Sequence, residues 1–169
     1  MSTGLIPGWA NNLKRLRAVG SGRNSPSSAY AALKGKVSRG HSLLDIGCGE
    51  SYDRQLATSR GVVAYGVDLF PPTKRTRSGF VRADVRRLPF ADKSMDAAIC
   101  QAVVSLIPPD DRFNFYAEAL RVLKPYGYFS LVFCRLVDGW KINTEHESAR
   151  LVYLGFHHIR AGLYQKGGV

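Results

Sequence analysis

Apolar residues along this chain fall into short, nearly continuous runs that alternate with stretches of helical spacing. Ser42-Leu43-Leu44-Asp45-Ile46 is the first such run. It is too short for a helix and reads as a strand over 42–46. Residues 52–59 follow as a helix, with Leu56 and Ala57 toward the sheet and Gly61 as its stop. Further apolar runs predict strands over 62–68, 80–84, 95–100 and 128–134. Val-rich runs unbroken by polar residues suit strands covered on both faces of a parallel sheet. Pro108-Pro109-Asp110-Asp111 opens a second helix, in which Phe113, Tyr116, Ala117 and Leu120 form one stripe and which Pro125 is expected to stop. A helix over 145–154, closed by Gly155, and a sixth strand over 156–164 complete the pattern.

The first forty residues read differently. Trp9, Leu13 and Leu16 recur at three and four spacing, then a Gly/Ser/Pro stretch over 20–28 follows. Pro26 and the serines after it start a short helix for Tyr30-Ala31-Ala32-Leu33. Residues 1–40 are therefore assigned as a basic arm with helices, and 41–169 as one α/β domain. Alternating strands and helices predict a Rossmann-like, mostly parallel sheet with helices on both faces.

Charge adds a partner class. The chain of 169 residues carries a formal net charge of +11. Its first 44 residues hold seven cations (Lys14, Arg15, Arg17, Arg23, Lys34, Lys36 and Arg39) and no acid. Lys74, Arg75, Arg77, Arg82, Arg86 and Arg87 form a second cluster. Such an excess attracts polyanions at long range, which points to RNA or another anionic acceptor. The three cysteines, Cys48, Cys100 and Cys134, lack C-x-x-C spacing and sit in apolar runs. They read as buried thiols in a reducing compartment, and no metal site is expected. No apolar run has the length of a membrane helix, and no secretory leader pattern is present, so an intracellular protein is expected.

The candidate chemistry lies where three strands end in acids. Asp45, Asp68 and Asp84 each close a predicted strand, at the edge where open α/β sheets bind ligands. Gly47 and Gly49 follow Asp45 directly, and a turn without side chains lets a ligand approach the backbone. A nucleoside with an amino-acid tail matches such a set. Its amine wants a carboxylate, its ribose diol wants a two-oxygen acceptor such as Asp68, and an adenine amino group wants an acceptor such as Asp84. Tyr52 stands where a dinucleotide fingerprint would place its third glycine, so a dehydrogenase is not expected.

Six motifs occur in order: Leu44-Asp45-Ile46-Gly47-Cys48-Gly49, Gly66-Val67-Asp68, Ala83-Asp84, Leu88-Pro89-Phe90, Ser94-Met95-Asp96-Ala97 and Arg121-Val122-Leu123-Lys124-Pro125. Together they resemble the class I S-adenosylmethionine methyltransferases of the small ubiquinone-biosynthesis type, over roughly residues 40–160. The resemblance implies S-adenosyl-L-methionine as cofactor. It implies that Asp45, Gly47 and Gly49 lie at its methionine part, Asp68 at the ribose and Asp84 at the adenine. Cys48, Leu69, Ala83 and Val85 complete that cofactor-binding set, and Gln101 is placed near the methionine moiety and the acceptor. The implied activity is methyl transfer to a nucleophilic nitrogen, oxygen or sulfur.

The chain also departs from that pattern. Ser51 and Tyr126 stand where glycines are usual, and a seventh strand has only residues 165–169 left to it. A shortened C-terminal end would expose a sheet edge, which predicts a homo-oligomer or a subunit of a complex. Two alternatives stay open: a non-catalytic scaffold in a ribonucleoprotein or other assembly, and a small-molecule methyltransferase. No catalytic base is evident. Tyr30, His146, His157 and His158 are the candidate helpers, with the adjacent histidines read as one core and one surface residue.

Overall fold

Two-sided burial decides the centre of the sheet. In β1 (Ser42–Ile46), Leu43 packs on one face while Leu44 and Ile46 pack on the other. In β4 (Met95–Gln101), Ala97 and Ile99 face one way, Ala98 and Cys100 the other. The period of two along each strand thus feeds two separate cores. The first core collects α1 (Ser28–Ala31) and α2 (Tyr52–Ser59) through Ala29, Tyr30, Leu33 and Ala57. The second collects α3 (Arg112–Val122) and α4 (Thr144–Tyr153) through Phe115, Tyr116, Ala119 and Leu151. The computed structural model describes residues 28–50, 52–72, 78–133 and 141–168. The helical patch at Trp9, Leu13 and Leu16, the arm cations Lys14, Arg15, Arg17 and Arg23, and Ser51, Lys74, Arg75, Arg77 and Cys134 lie outside those residues. Among the described residues no helix is long and apolar enough to cross a membrane.

The remaining strands are β2 (Val63–Asp68), β3 (Phe80–Arg82), β5 (Leu123–Val132), β6 (Phe156–Arg160) and β7 (Leu163–Lys166). Their order is β3-β2-β1-β4-β5-β7-β6. Strands β1 to β5 pair in parallel, whereas β7 runs antiparallel to both β5 and β6. The expected Rossmann-like sheet with helices on both faces is therefore present, and two details of its C-terminal half are corrected.

The first is the start of β5. Helical spacing continues through Leu123 and Lys124, but the helix ends at Val122 and the strand begins at once. Pro125 lies inside β5, at a shift of register between Met95 and Ala97 of the neighbouring strand. Tyr126 there has a φ of 62°. A bulge tolerates a proline because no ladder hydrogen bond is needed at that point. Lys124 reaches across it to Asp96 at 2.7 Å, and Asp96 in turn accepts from the Ser42 backbone and hydroxyl, both at 2.8 Å.

The second correction is the C-terminal end, which is not shortened to six strands. Residues 156–164 do not form one strand but turn back on themselves, and β7 enters the sheet between β5 and β6. Gly162 makes this possible. Its φ is +71°, and a Cβ there would lie 2.7 Å from the Leu131 carbonyl oxygen. Lys166 ends the hairpin by donating to the Leu120 and Leu123 carbonyls at 2.9 and 2.8 Å, which supplies a cation to the C-terminus of α3.

Ser130, in the middle of β5, is fully buried, and its hydroxyl has no hydrogen-bond partner among the described residues. An unpaired buried hydroxyl costs stability. Ser130→Ala is expected to stabilise the fold by about 1 kcal/mol, read as a rise of about 2–4 °C in Tm by calorimetry. A fall in Tm would mean that the hydroxyl is satisfied in solution.

Candidate functional site

The strand order reverses beside β1. The chain runs outward through β2 to β3, then returns to place β4 on the other side of β1. Such a reversal opens a crevice at the carboxyl ends of the two diverging strands. Here its lips are the bend after Ile46 and the turn after Gln101.

The bend is tied down by backbone bonds. Gly47 (φ +71°) and Cys48 both donate to the Val67 carbonyl, at 2.8 and 3.1 Å. A Cβ on Gly47 would sit 2.1 Å from Val103 Cγ2, so glycine is required where the two lips meet. Gly49 (φ +49°) has nothing within 4 Å of its Cβ direction and is an open cradle. Its N–H donates to Asp68 Oδ2 at 3.0 Å, while Phe70 N–H donates to Asp68 Oδ1 at 3.0 Å. Asp68 thus joins the bend to the tip of β2. Cys48 is buried against Gly66, where a Cβ would lie 2.8 Å from its Sγ. Of the expected thiols, Cys48 and Cys100 are both buried.

Asp45 is buried at the carboxyl end of β1. Its carboxyl is held well above the usual range, first by burial and then by the charges of Asp53 and Asp68; Arg54, through its charge and its backbone N–H, pulls the other way. A buried acid with two acidic neighbours favours a cation brought to it. Asp45 and Asp68 therefore share one electrostatic environment.

Asp84 lies two residues beyond β3, on the adjoining strand tip, where Ala83 N–H donates to the Asp68 carbonyl at 3.1 Å. Its carboxylate is gripped by Arg86: the backbone N–H and Nε reach Oδ1 at 2.9 and 3.0 Å, and Nη2 reaches Oδ2 at 2.6 Å. Nη1 of Arg86 bonds Asp111 at the start of α3. The Arg86 hydrogen bond outweighs burial and lowers the Asp84 pKa. Ala83 and Val85 pack against the second core beside this turn, and Leu69 is half-buried just after β2. Gln101 accepts from the Ala29 N–H at 3.3 Å, which fastens α1 to the tip of β4.

The candidate helpers do not converge on this crevice. Tyr30 is buried in the core under α1. His146 is exposed on α4. His157 and His158 are both exposed on β6, four strands from β1, so neither is the core residue expected. Arg54, Arg86 and Asp111 are the site neighbours that motif reading omits. The Asp-x-Arg spacing of Asp84 and Arg86 was a local signal for one of them; the contact with Asp111, 25 residues on, had none.

The family model described as "Methyltransferase domain" matches residues 44–131. An uncharacterized methyltransferase of Mycobacterium avium is 31% identical over 147 residues, covering 82% of this chain and 56% of that protein. Another from Mycobacterium marinum is 34% identical over 109 residues, covering 60% and 42%. The chain spans about half the length of the curated relatives it matches. Among solved structures, 1,6-didemethyltoxoflavin-N1-methyltransferase of Burkholderia thailandensis, crystallised with 1,6-didemethyltoxoflavin and S-adenosylhomocysteine, superposes with a TM-score of 0.77. It is 19% identical, with 94% of this chain and 85% of that one covered, and shares the fold.

Proposed function

The chain belongs to the methyltransferase-domain family, and from that premise we propose that it is an S-adenosylmethionine-dependent methyltransferase acting on a nucleophilic nitrogen, oxygen or sulfur of an anionic acceptor. One observation carries the cofactor reading: Asp45 and Asp68 stand at neighbouring strand tips, close enough for the charge of Asp68 to act on Asp45, beside a bend whose Gly49 leaves open space. The donor set fits the cofactor. Asp45 gains from an ammonium group, which offsets the burial, and after it the repulsion from Asp53 and Asp68, that raise its pKa. Asp68, held by the Gly49 and Phe70 backbone N–H groups, is a two-oxygen acceptor at the tip of β2, the kind of group a diol calls for. Gly49 presents backbone without a side chain. When bound, S-adenosylmethionine supplies an electrophilic methyl group on a sulfonium.

No side chain is assigned as a general base. An amine or thiol acceptor needs little proton transfer, and orientation alone lowers a barrier substantially. The net charge of +11 supports an anionic acceptor such as RNA, and salt-dependent RNA retention would test that part separately.

Calorimetric titration with S-adenosylmethionine and S-adenosylhomocysteine tests the cofactor reading. Asp68→Asn removes the charge and turns one of the two accepting oxygens into a donor, so affinity is expected to fall between about tenfold and a hundredfold. Absence of binding to the unaltered protein at millimolar ligand would end the proposal.

A further inference from the structure

We propose that Arg86 is a positioning residue that sets the base specificity of the nucleoside end of the site, by holding the Asp84 carboxylate so that it offers a single acceptor position to a purine with an exocyclic amine. The inference rests on the cofactor reading above and concerns a residue outside the six motifs.

The geometry is a count of lone pairs. An ionised carboxylate accepts at about four positions. At Asp84, Oδ1 receives the Arg86 backbone N–H at 2.9 Å and Nε at 3.0 Å. Oδ2 receives Nη2 at 2.6 Å, with Nε also within 3.1 Å. The Nε–H is shared between the two oxygens, so the fork and the backbone bring three N–H groups to four positions, with the backbone one on the outer side of Oδ1. One position remains, on Oδ2. It suits one N–H of an amino group and repels a carbonyl oxygen.

Two features make this a fixed arrangement. Nη1 of Arg86 is bonded to Asp111 at the start of α3, so the guanidinium is held from both sides and cannot follow a turning carboxylate. The planar fork also fixes the plane of the carboxylate, which a lysine ammonium would not. The Arg86 hydrogen bond also lowers the Asp84 pKa, and an ionised carboxylate only accepts. Without Arg86 the carboxylate would turn freely and offer other lone pairs in other directions, so its acceptor would no longer be aimed at one amino group.

The test compares S-adenosylhomocysteine with S-inosylhomocysteine, which carries a carbonyl in place of the exocyclic amine. Both are titrated by calorimetry into the unaltered protein, Arg86→Gln and Arg86→Lys. The unaltered protein is expected to prefer the adenosyl ligand by at least about a hundredfold. In both variants the preference is expected to shrink by about tenfold or more, the loss of one fixed hydrogen bond. An unchanged ratio would overturn the proposal, whether both affinities fall together or neither moves, because a merely structural role lowers both alike. Should the Arg86 variants fail to fold, Asp111→Asn releases only the outer anchor and is read by the same ratio. If the unaltered protein binds neither ligand, the cofactor reading falls with this one; if it binds and the ratio holds, this one falls alone.

Discussion

Glu147→Ala is expected to lower the folding free energy by about 3–5 kcal/mol and Tm by roughly 10 °C or more. Glu147 on α4 and Arg112 on α3 are both almost wholly buried and pair at 2.6 Å. The second carboxylate oxygen accepts from the Tyr116 hydroxyl at 2.8 Å. Arg112 also donates through Nε to the Ile107 carbonyl at 3.2 Å and through Nη2 to the Lys141 carbonyl at 3.3 Å. Alanine would leave a guanidinium buried beside two neutral carbonyls and a tyrosine hydroxyl with no acceptor. The charge left behind, more than the pair broken, makes the loss large.

A triple change distinguishes this from lost packing. Arg112→Met, Tyr116→Phe and Glu147→Met together remove the buried ion pair and the tyrosine hydroxyl while keeping similar volume, at the cost of the Arg112 bonds to the Ile107 and Lys141 carbonyls. Thermal unfolding should show the triple variant well above Glu147→Ala. If it is no more stable, packing rather than charge is the cause. The network also reaches the crevice. Ile107 follows the turn Val104–Leu106 after β4, and Arg150 of α4 donates to the Pro109 carbonyl at 2.9 Å. Two helices thus hold the segment that leads away from one lip of the site.

This network shows why some of the molecule was legible in the sequence and some was not. β1 and α2 were placed at their observed bounds because an apolar run ends at a glycine pair and a helix-period stretch follows. Their signals are local. The start of β5 was not placed, because Leu123 and Lys124 continue the spacing of α3 and only the pairing with β4 shows that they are extended. The β6–β7 hairpin was legible in principle through Gly162, but residues 156–164 are otherwise a plain strand pattern. In the site, Asp45, Gly47 and Asp68 could be read from their places at strand tips. The hold of Arg121 on the Leu88 and Phe90 carbonyls, each at 2.8 Å, could not, since nothing in a motif says whether it packs or binds. Several motif residues turn out to brace the sheet: Asp96 and Lys124 pin the start of β1, and Arg121 pins the loop before β4.

The two glycines of the bend make the final test, because their surroundings differ. Gly47→Ala would adopt a left-handed φ at about 1–2 kcal/mol, and its Cβ would collide with Val103 Cγ2. Overpacking adds about 1–3 kcal/mol, so both stability and S-adenosylhomocysteine affinity are expected to fall. Gly49→Ala carries the backbone strain alone, since nothing lies within 4 Å of the added atom. Its stability should drop by only about 1–2 kcal/mol, yet its affinity should drop by at least about tenfold if the cofactor fills that space. Chemical denaturation and calorimetric titration of both variants separate the two effects. Gly49→Ala binding as tightly as the unaltered protein would mean that the open side of the bend faces no ligand. The chemistry would then have to be sought along the other lip, between Gln101 and Pro109.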